Sequence, residues 1–135
     1  MKNEVLFNNT EQKISLRKLL SDLMPELQQG AMQRKSFFVN DIADDILVRA
    51  NRRILAKVLT ELLGIVSRNA LNSCIRISAK VYHDVVLMHV KDNNTSNSYA
   101  LGSSLSQVQP LVNSIGGFVD ITSMRLKETT IAFSF

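Results

Sequence analysis

The feature that most constrains the fold is a broad apolar stripe between residues 51 and 72. Two adjacent apolar positions recur about every four residues, which is the spacing of an amphipathic helix with a wide buried face. Asn51 precedes the stripe and is a favoured N-cap residue, so a helix is predicted from 51 to about 72. The stripe consists of Ile54, Leu55, Val58, Leu59, Leu62, Leu63 and Val66. Such a wide face needs a sheet or other helices to cover it.

The chain after this helix alternates between apolar and polar residues, as half-buried strands do. The runs 75–82 and 85–91 flank a two-residue turn at His83 and Asp84, and this arrangement predicts a β-hairpin. Four further strands are predicted at 36–40, 46–49, about 118–123 and 129–135. The predicted strands therefore outnumber the predicted helices, and most neighbouring strands are expected to be antiparallel.

Two further helices are predicted. Apolar residues have helical spacing from 14 to 31, with Ser15 as a possible N-cap. Pro25 lies inside this pattern and should kink the helix or begin a second one. Another helix is predicted from about 104 to 115, interrupted or kinked at Pro110.

The remaining segments show no regular pattern. The polar tract 93–98 predicts a loop, and residues 1–10 are expected to form a loose or edge segment. The 135 residues predict a single α+β domain over 1–135, a two-layer sandwich with helices on one face of a mixed, mostly antiparallel sheet. No apolar run could span a membrane, and the single cysteine allows no internal disulfide, so we expect a cytoplasmic protein. No residue spacing suggests a metal site.

Positive charge is concentrated in one stretch of the sequence. From Arg49 to Lys80 there are seven cations and one acid, Glu61, so this stretch carries +6 while the whole chain carries +4. Such a field favours an anionic partner, although a solvated helix face explains it equally well. Binding to nucleic acid is expected to be unlikely, because only 6% of residues are aromatic and no recognised module fits.

The order of elements and several short fragments resemble the histidine-kinase-type ATPase domain, the GHKL or Bergerat fold. The helix at 51–72 resembles the family's N-box helix, and residues 90–94 resemble the strand that ends in Asp-x-Gly-x-Gly. The similarity covers about 14–135 and implies the α+β sandwich described above. Three further fragments are similar to the family's glycine-rich turn (102–105), its Gly-Gly strand (116–123) and its Gly-Thr-x-Phe strand (129–133).

The resemblance also shows where this sequence departs from the family on the N-box helix. Glu61, Ile65 and Val66 occupy the N-box positions, and Ile65 stands where the family has the asparagine that holds Mg²⁺. A hydrocarbon side chain offers no oxygen ligand to such a cation. Arg68 falls where active kinases often have a basic residue, so some affinity for phosphate is implied. Glu61 matches the carboxylate that activates water in chaperone-like members, or is a solvent-facing or Lys/Arg-paired glutamate.

The adenine and lid positions depart from the family as well. Asp92 matches the acid that accepts a hydrogen bond from the adenine amino group, or it only caps the turn. The glycines that follow it in the family are replaced by Asn94 and Ser96. Nine residues separate Asp92 from Gly102, where the family has a long mobile lid. Ser104 replaces the second glycine of the lid's Gly-x-Gly pair, and Glu128 replaces the last glycine, beside Thr129.

Together these departures imply a pseudo-kinase: a non-catalytic or weakly nucleotide-binding domain that acts in two-component signalling by binding proteins. A sensor-kinase dimerisation domain, a response regulator or a second copy is the implied partner. The alternative is a sensor histidine kinase catalytic domain that still recognises ATP or ADP through Asp92, Arg68 and Thr129. No cofactor is expected under the first hypothesis, and Mg²⁺ binding is doubtful under both.

Overall fold

Within residues 11–135, three helices cover one face of a five-stranded mixed sheet, and a separate two-stranded sheet lies beside them. The computed structural model describes residues 11–135, so the expectation for residues 1–10 lies outside the described residues. The predicted fold class is confirmed. The elements are β1 (Gln12–Ser15), α1 (Leu16–Met32), β2 (Phe37–Asn40), β3 (Leu47–Ala50), α2 (Arg52–Arg68), β4 (Cys74–Tyr82), β5 (Val85–Asp92), α3 (Ser98–Asn113), β6 (Phe118–Arg125) and β7 (Glu128–Ser134).

Each helix begins after a residue whose side chain caps a free backbone N–H group. Ser15 Oγ accepts from the backbone of Lys18 at 3.2 Å, and Asn51 Oδ1 accepts from the backbone of Ile54 at 3.1 Å. Both N-caps were predicted from the sequence. The helix α1 runs through Pro25 without a second start, and α2 ends at Arg68, four residues before the predicted 72.

The five-stranded sheet has the order β2-β4-β5-β7-β6. The β2–β4 pair is parallel and the other three pairs are antiparallel, as the sequence predicted for most neighbours. The core lies between this sheet and the helices, and one row of side chains crosses four strands toward it. That row is Ile77, Val90, Ile131 and Ile121.

The small sheet corrects one prediction. Ile14 was included in the helical pattern of residues 14–31, but it lies in β1 and pairs with Val48 of β3. Ser15 has extended backbone angles, so the helix cannot begin before Leu16. The β-branched, buried Ile14 suits a strand that packs on a core.

Both outer edges of the large sheet are closed by a glutamine side chain. Gln28 of α1 donates to the carbonyl of Phe38 in β2 and accepts from its N–H group, both at 2.9 Å. Gln109 of α3 does the same for Val119 of β6, at 3.0 Å and 3.4 Å. The amide side chain donates and accepts as a residue of a neighbouring strand would. The exposed edge therefore has fewer free backbone groups.

The Gly116-Gly117 pair turns the chain from α3 into β6. Gly116 has a φ of +71°, a conformation that other residues rarely adopt. A Cβ atom at Gly117 would lie 2.6 Å from the carbonyl oxygen of Ser134, closer than a Cβ atom comes to its neighbours in proteins. The two glycines therefore serve a backbone turn and a close contact between chain segments.

None of the helices within residues 11–135 is long and apolar enough to cross a lipid bilayer.

Candidate functional site

Asp92 ends β5 with its carboxylate inside a small polar cluster. One carboxylate oxygen accepts from the backbone N–H of Asn94 at 2.9 Å, and the other lies 3.1 Å from the hydroxyl of Thr95. The Thr95 hydroxyl is also 2.8 Å from that of Thr129, so Thr129 can donate to Thr95 while Thr95 donates to Asp92. All three side chains are buried, and Asp92 is only 1% exposed. The carboxylate therefore has internal hydrogen-bond donors on both oxygens.

The polar tract that follows Asp92 is hydrogen-bonded to three other parts of the chain. Thr95 N–H donates to the carbonyl of Lys127 at 2.8 Å, and Ser96 N–H donates to the carbonyl of Asn69 at 2.7 Å. The Asn93 side chain accepts from the backbone of Cys74 at 2.9 Å. The tract is irregular, as predicted, but its backbone and side chains are held by the end of α2, the start of β4 and the β6–β7 turn.

Arg34 joins two of these segments. Its guanidinium donates to the carbonyl of Ala70 at 3.0 Å and to the hydroxyl of Ser96 at 3.1 Å. The sequence analysis did not single out Arg34 or Thr95. Nothing near Arg34 in the sequence signals a partner 36 or 62 residues away. Thr95 could have been found, because a hydroxyl three residues after an aspartate at a strand end often closes a local turn.

The structure corrects the position of the third helix and the conformation of Gly102. The helix α3 begins at Ser98, six residues before the predicted 104, because Asn97 caps it by accepting from the backbone of Ala100 at 3.0 Å. Gly102 and Ser104 therefore lie inside a helix and form no glycine-rich turn. The missed signal was Leu101, which extends the buried stripe of Leu105, Val108 and Val112 by one turn. The helix also continues through Pro110 without interruption.

Because α3 begins earlier than predicted, the segment between β5 and α3 is shorter than the sequence suggested. Only residues 93–97 separate the end of β5 from the start of α3. Five residues span at most about 18 Å when fully extended, and these five are held in a tighter path by the bonds described above.

The candidate residues of α2 lie in different environments. Ile65 is 6% exposed and belongs to the apolar core, as does Val66. Glu61 is exposed and, within the part of the chain that the structure describes, forms no ion pair. Arg68 is exposed and folds back over Gly64, where a Cβ atom would lie 3.2 Å from its Nη1. It lines a groove of about 490 Å³ between α1 and α2.

The structure thus brings together Asp92, Asn94 and Thr129, but leaves Glu61 and Arg68 on the surface of α2. Glu128, one residue before Thr129, is exposed and lines a shallow cavity of about 230 Å³ on which Asp92 and Thr129 border. Among residues 11–135, no three histidine, cysteine or acidic side chains lie close enough to hold a metal ion.

Comparison with known proteins identifies the fold. No protein-family model and no curated protein sequence matches the chain. Among solved structures, the histidine kinase AdeS of Acinetobacter baumannii matches with a TM-score of 0.77 at 14% identity, over 94% of this chain and 67% of that one. The catalytic domain of the histidine kinase ThkA matches with a TM-score of 0.71 at 15% identity, over 93% of this chain and 94% of that one. The chain has the histidine-kinase ATPase fold.

A third match within the histidine-kinase ATPase fold is ThkA in complex with the response regulator protein TrrA. Its TM-score is 0.69 at 16% identity, over 93% of this chain and 41% of that one. At these identities the likeness is one of backbone path, so the chemistry of the site depends on the side chains present. In this chain, Ile65 lies in the apolar core and the Asp92 carboxylate is hydrogen-bonded internally. The connection at residues 93–97 is short and is held by hydrogen bonds.

Proposed function

We propose that this domain acts in cytoplasmic two-component signalling by binding other proteins, and that it does not catalyse phosphoryl transfer. The fold supports a place among histidine-kinase-like domains, and the complex of ThkA with TrrA is an example of such a protein with a signalling partner. A sensor-kinase dimerisation domain, a response regulator or a second copy remains the expected partner. The observation that carries the proposal is the five-residue connection between β5 and α3.

A kinase of this fold needs a segment that closes over the triphosphate and excludes water, as phosphoryl transfer depends on positioning and charge stabilisation. Here that segment would have to be residues 93–97. Their hydrogen bonds to Asn69, Cys74 and Lys127 hold them against the body of the domain. The connection therefore has neither the length nor the freedom to cover a nucleotide.

The N-box helix supports the same proposal. Mg²⁺ is held by oxygen ligands in near-octahedral geometry. Ile65 has none to offer, and its side chain packs in the core. Glu61, one turn earlier, is exposed, and Ile65 offers no oxygen through which a metal and its bound water could be held beside it. A carboxylate alone does not make a phosphoryl-transfer site.

Titration with ATP and ADP, each with and without Mg²⁺, tests the proposal. Calorimetry and thermal denaturation should show no Mg²⁺-dependent binding and no rise in melting temperature at micromolar nucleotide, since a ligand stabilises only in proportion to its occupancy of the folded state. A Mg²⁺-dependent rise in melting temperature at micromolar ATP would contradict it.

The Ile65→Asn variant distinguishes the effect of the missing metal ligand on nucleotide binding from the effect of the missing lid. The variant restores the amide of the N box, yet it should still bind no Mg²⁺-nucleotide, because residues 93–97 remain short and tied. It should lose roughly 2–5 kcal/mol of unfolding free energy, as a polar group replaces a buried apolar one. Ile65→Val, which keeps an apolar side chain, should lose only about 0.5–1.5 kcal/mol. Mg²⁺-nucleotide binding by Ile65→Asn would show that the lid is not the obstacle.

A second candidate function is weak nucleotide binding without metal-dependent chemistry. It is favoured by the contact between β5 and β7, where Asp92 and Thr129 are direct cross-strand partners. Under this alternative, millimolar ATP or ADP raises the melting temperature equally with and without Mg²⁺. Asp92→Asn, whose amide oxygen can still accept from the backbone of Asn94, should abolish that rise. No change in melting temperature at millimolar nucleotide removes the alternative.

A further inference from the structure

Within residues 11–135, no helix packs on the second face of the five-stranded sheet. Ile77, Val90 and Ile131 are buried on the helix side. Because successive residues of a strand point to opposite faces, the residues that alternate with them point away from the helices. We call this side of the sheet the outer face. One row crosses it on β4, β5, β7 and β6, through the cross-strand partners Lys80, Leu87, Ser134 and Phe118.

One end of the outer face is apolar. Phe118, Tyr82 and Val85 are each more than half exposed, and Leu87, on a strand between them, is partly exposed. Tyr82 and Val85 are direct cross-strand partners beside the row. An antiparallel sheet with one face in water usually carries polar side chains on that face. Several large apolar side chains together on an outward face therefore mark an interaction surface.

The outer face is better suited to association than the edges of the sheet. Gln28 and Gln109 already occupy backbone groups of the two edge strands. Strands about 4.8 Å apart, with a rise of about 3.3 Å per residue, give the four longer strands a face of roughly 20 Å by 23 Å. Two such faces would bury roughly 1,000 Å² in total, which is the lower limit for a specific protein interface.

The two sides of the outer face differ in charge. Lys80 lies on β4 and Lys91 lies on β5, and both are exposed. Asp120 lies on β6, where it is exposed and follows the buried Val119. The side formed by β4 and β5 is therefore positive, and the side formed by β6 is negative.

The other charges of the outer face are balanced within one copy of the chain. Arg76 pairs with Asp41 at 3.4 Å. Arg125 and Glu128 have opposite charges and are direct cross-strand partners at the far end of β6. The charges left for a partner therefore have both signs, and a second copy of this chain presents the same two signs.

A two-fold axis between two copies, parallel to the strands, would bring these opposite charges together. It would place β4 of one copy over β6 of the other and keep the two apolar ends in contact. The ammonium group of Lys80 would then reach the carboxylate of Asp120, while its methylene groups cover the ring of Phe118. Sheets with nearly aligned strands pack in this way about 10 Å apart, and two-fold dimers are the commonest oligomers.

The charges disfavour the other two-fold arrangement of stacked sheets. An axis perpendicular to the strands would place each strand over its own copy in the reverse direction. Lys80 would then face Arg76, and Leu87 would face Lys91. Contacts between like charges and the burial of an unpaired lysine both weaken such an interface.

We propose that the outer face pairs with the outer face of a second copy, in a symmetric dimer in which Lys80 of each copy faces Asp120 of the other. The inference rests on the proposed function, because a second copy is one of the partners expected there. Each contact occurs twice in such a dimer, so a single substitution removes two contacts. The helices lie on the opposite face and remain accessible to another protein.

Sedimentation velocity of the whole chain over a range of concentrations tests the proposal. An interface near the lower size limit should give a dimer with a dissociation constant on the order of 10–100 µM. Phe118→Ser and Tyr82→Ser should each raise this constant at least about tenfold, because each removes an aromatic contact from both halves of the interface. Met32→Ser is the matched control, since Met32 is 69% exposed on α1. It should leave the constant within about twofold of the original.

Exchange of the two charges tests the symmetry. Lys80→Glu and Asp120→Lys should each weaken the dimer about tenfold at low ionic strength, because each places like charges opposite one another. The double variant should return the constant to within about threefold of the original, since both pairs form again with reversed signs. Lys57→Glu, an exposed substitution on α2, changes the net charge equally and should have little effect. Circular dichroism checks that each variant folds.

Three results would overturn the proposal. The first is a chain that stays monomeric at roughly ten times the expected dissociation constant, which would leave the outer face to a different protein. The second is a dimer that Phe118→Ser and Lys80→Glu leave intact, which would place the contact on another surface. The third is a double variant as weak as the single ones, which would show that Lys80 and Asp120 do not face each other. The nucleotide titration is an independent measurement, so the dimer and the proposed function can fail separately.

Discussion

At the scale of single residues, the importance of the glycines differs from what the family resemblance implied. Gly102 was expected to match a lid glycine, but it lies inside α3, where an added Cβ would meet no side chain and no backbone of another segment within 4 Å. Gly117 meets the Ser134 carbonyl oxygen, Val112 and Phe133 within 3.3 Å of the same added atom. The backbone needs a glycine at 117 and tolerates a side chain at 102.

Alanine substitution at these two positions should therefore have opposite effects. Gly117→Ala should lower the free energy of unfolding by about 1–3 kcal/mol, because the methyl group must displace backbone. Gly102→Ala should raise it by about 0.5–1 kcal/mol through helix propensity and reduced freedom of the unfolded chain. Urea denaturation measures both. A destabilised Gly102→Ala would show that position 102 needs a non-helical backbone.

At the scale of elements, the glutamines at the two sheet edges occupy backbone groups that another strand would need for pairing. Gln28 and Gln109 each satisfy both polar backbone groups of one edge residue, Phe38 and Val119. On β6 the Asp120 side chain also accepts from the backbone of Ile121 at 2.8 Å. An irregularity in register follows between Ile121 and Ser123, and such bulges further discourage strand addition.

Gln109→Leu should expose the β6 edge, since leucine has a similar size but no hydrogen-bonding group. We expect concentration-dependent association in sedimentation velocity and a loss of about 1–2 kcal/mol in unfolding free energy, because the backbone groups of Val119 lose their partner. Gln107→Leu, an exposed substitution on the same helix, is the control and should associate no more than the original protein. A Gln109→Leu protein that associates no more than the control and is equally stable would contradict this role.

The sequence predicted the elements with strong periodicity and missed those decided by distant contacts. The stripe of α2, the β4–β5 hairpin and the caps Ser15 and Asn51 are local patterns, and all were predicted. The strand at Ile14 was missed because its partner Val48 is 34 positions away. The site was predicted only in part: Asp92 at its strand end could be found, but its bonds to Thr95 and Thr129 and the role of Arg34 depend on tertiary packing.

At the scale of the whole molecule, the basic stretch of the sequence does not form one basic face. Arg53 and Lys57 lie on the exposed side of α2, whereas Arg76 lies between the buried Ile75 and Ile77 on β4, and Lys80 is four residues further along the same strand. Successive strand residues point to opposite faces, so these two cations project from the sheet away from the helices. The charge of +6 is divided between two sides of the domain, and two of its arginines are paired with Asp22 and Asp41.

Binding to duplex DNA should therefore be weak. We expect a Kd no tighter than roughly 10⁻⁵ M at physiological ionic strength, with a salt dependence that corresponds to about three phosphate contacts or fewer. Fluorescence anisotropy over a series of salt concentrations measures both quantities. Submicromolar binding with a steep salt dependence would show that the cations act together on one surface.

The short bridge between β5 and α3 has a consequence for control. Proteins that open and close over a bound nucleotide can report the cell's energy state by changing shape. With residues 93–97 hydrogen-bonded in that place, we expect the outline of this end of the domain not to depend on nucleotide. Under the proposed function, its associations would then be controlled through its abundance, its neighbours or a chemical change on the other protein.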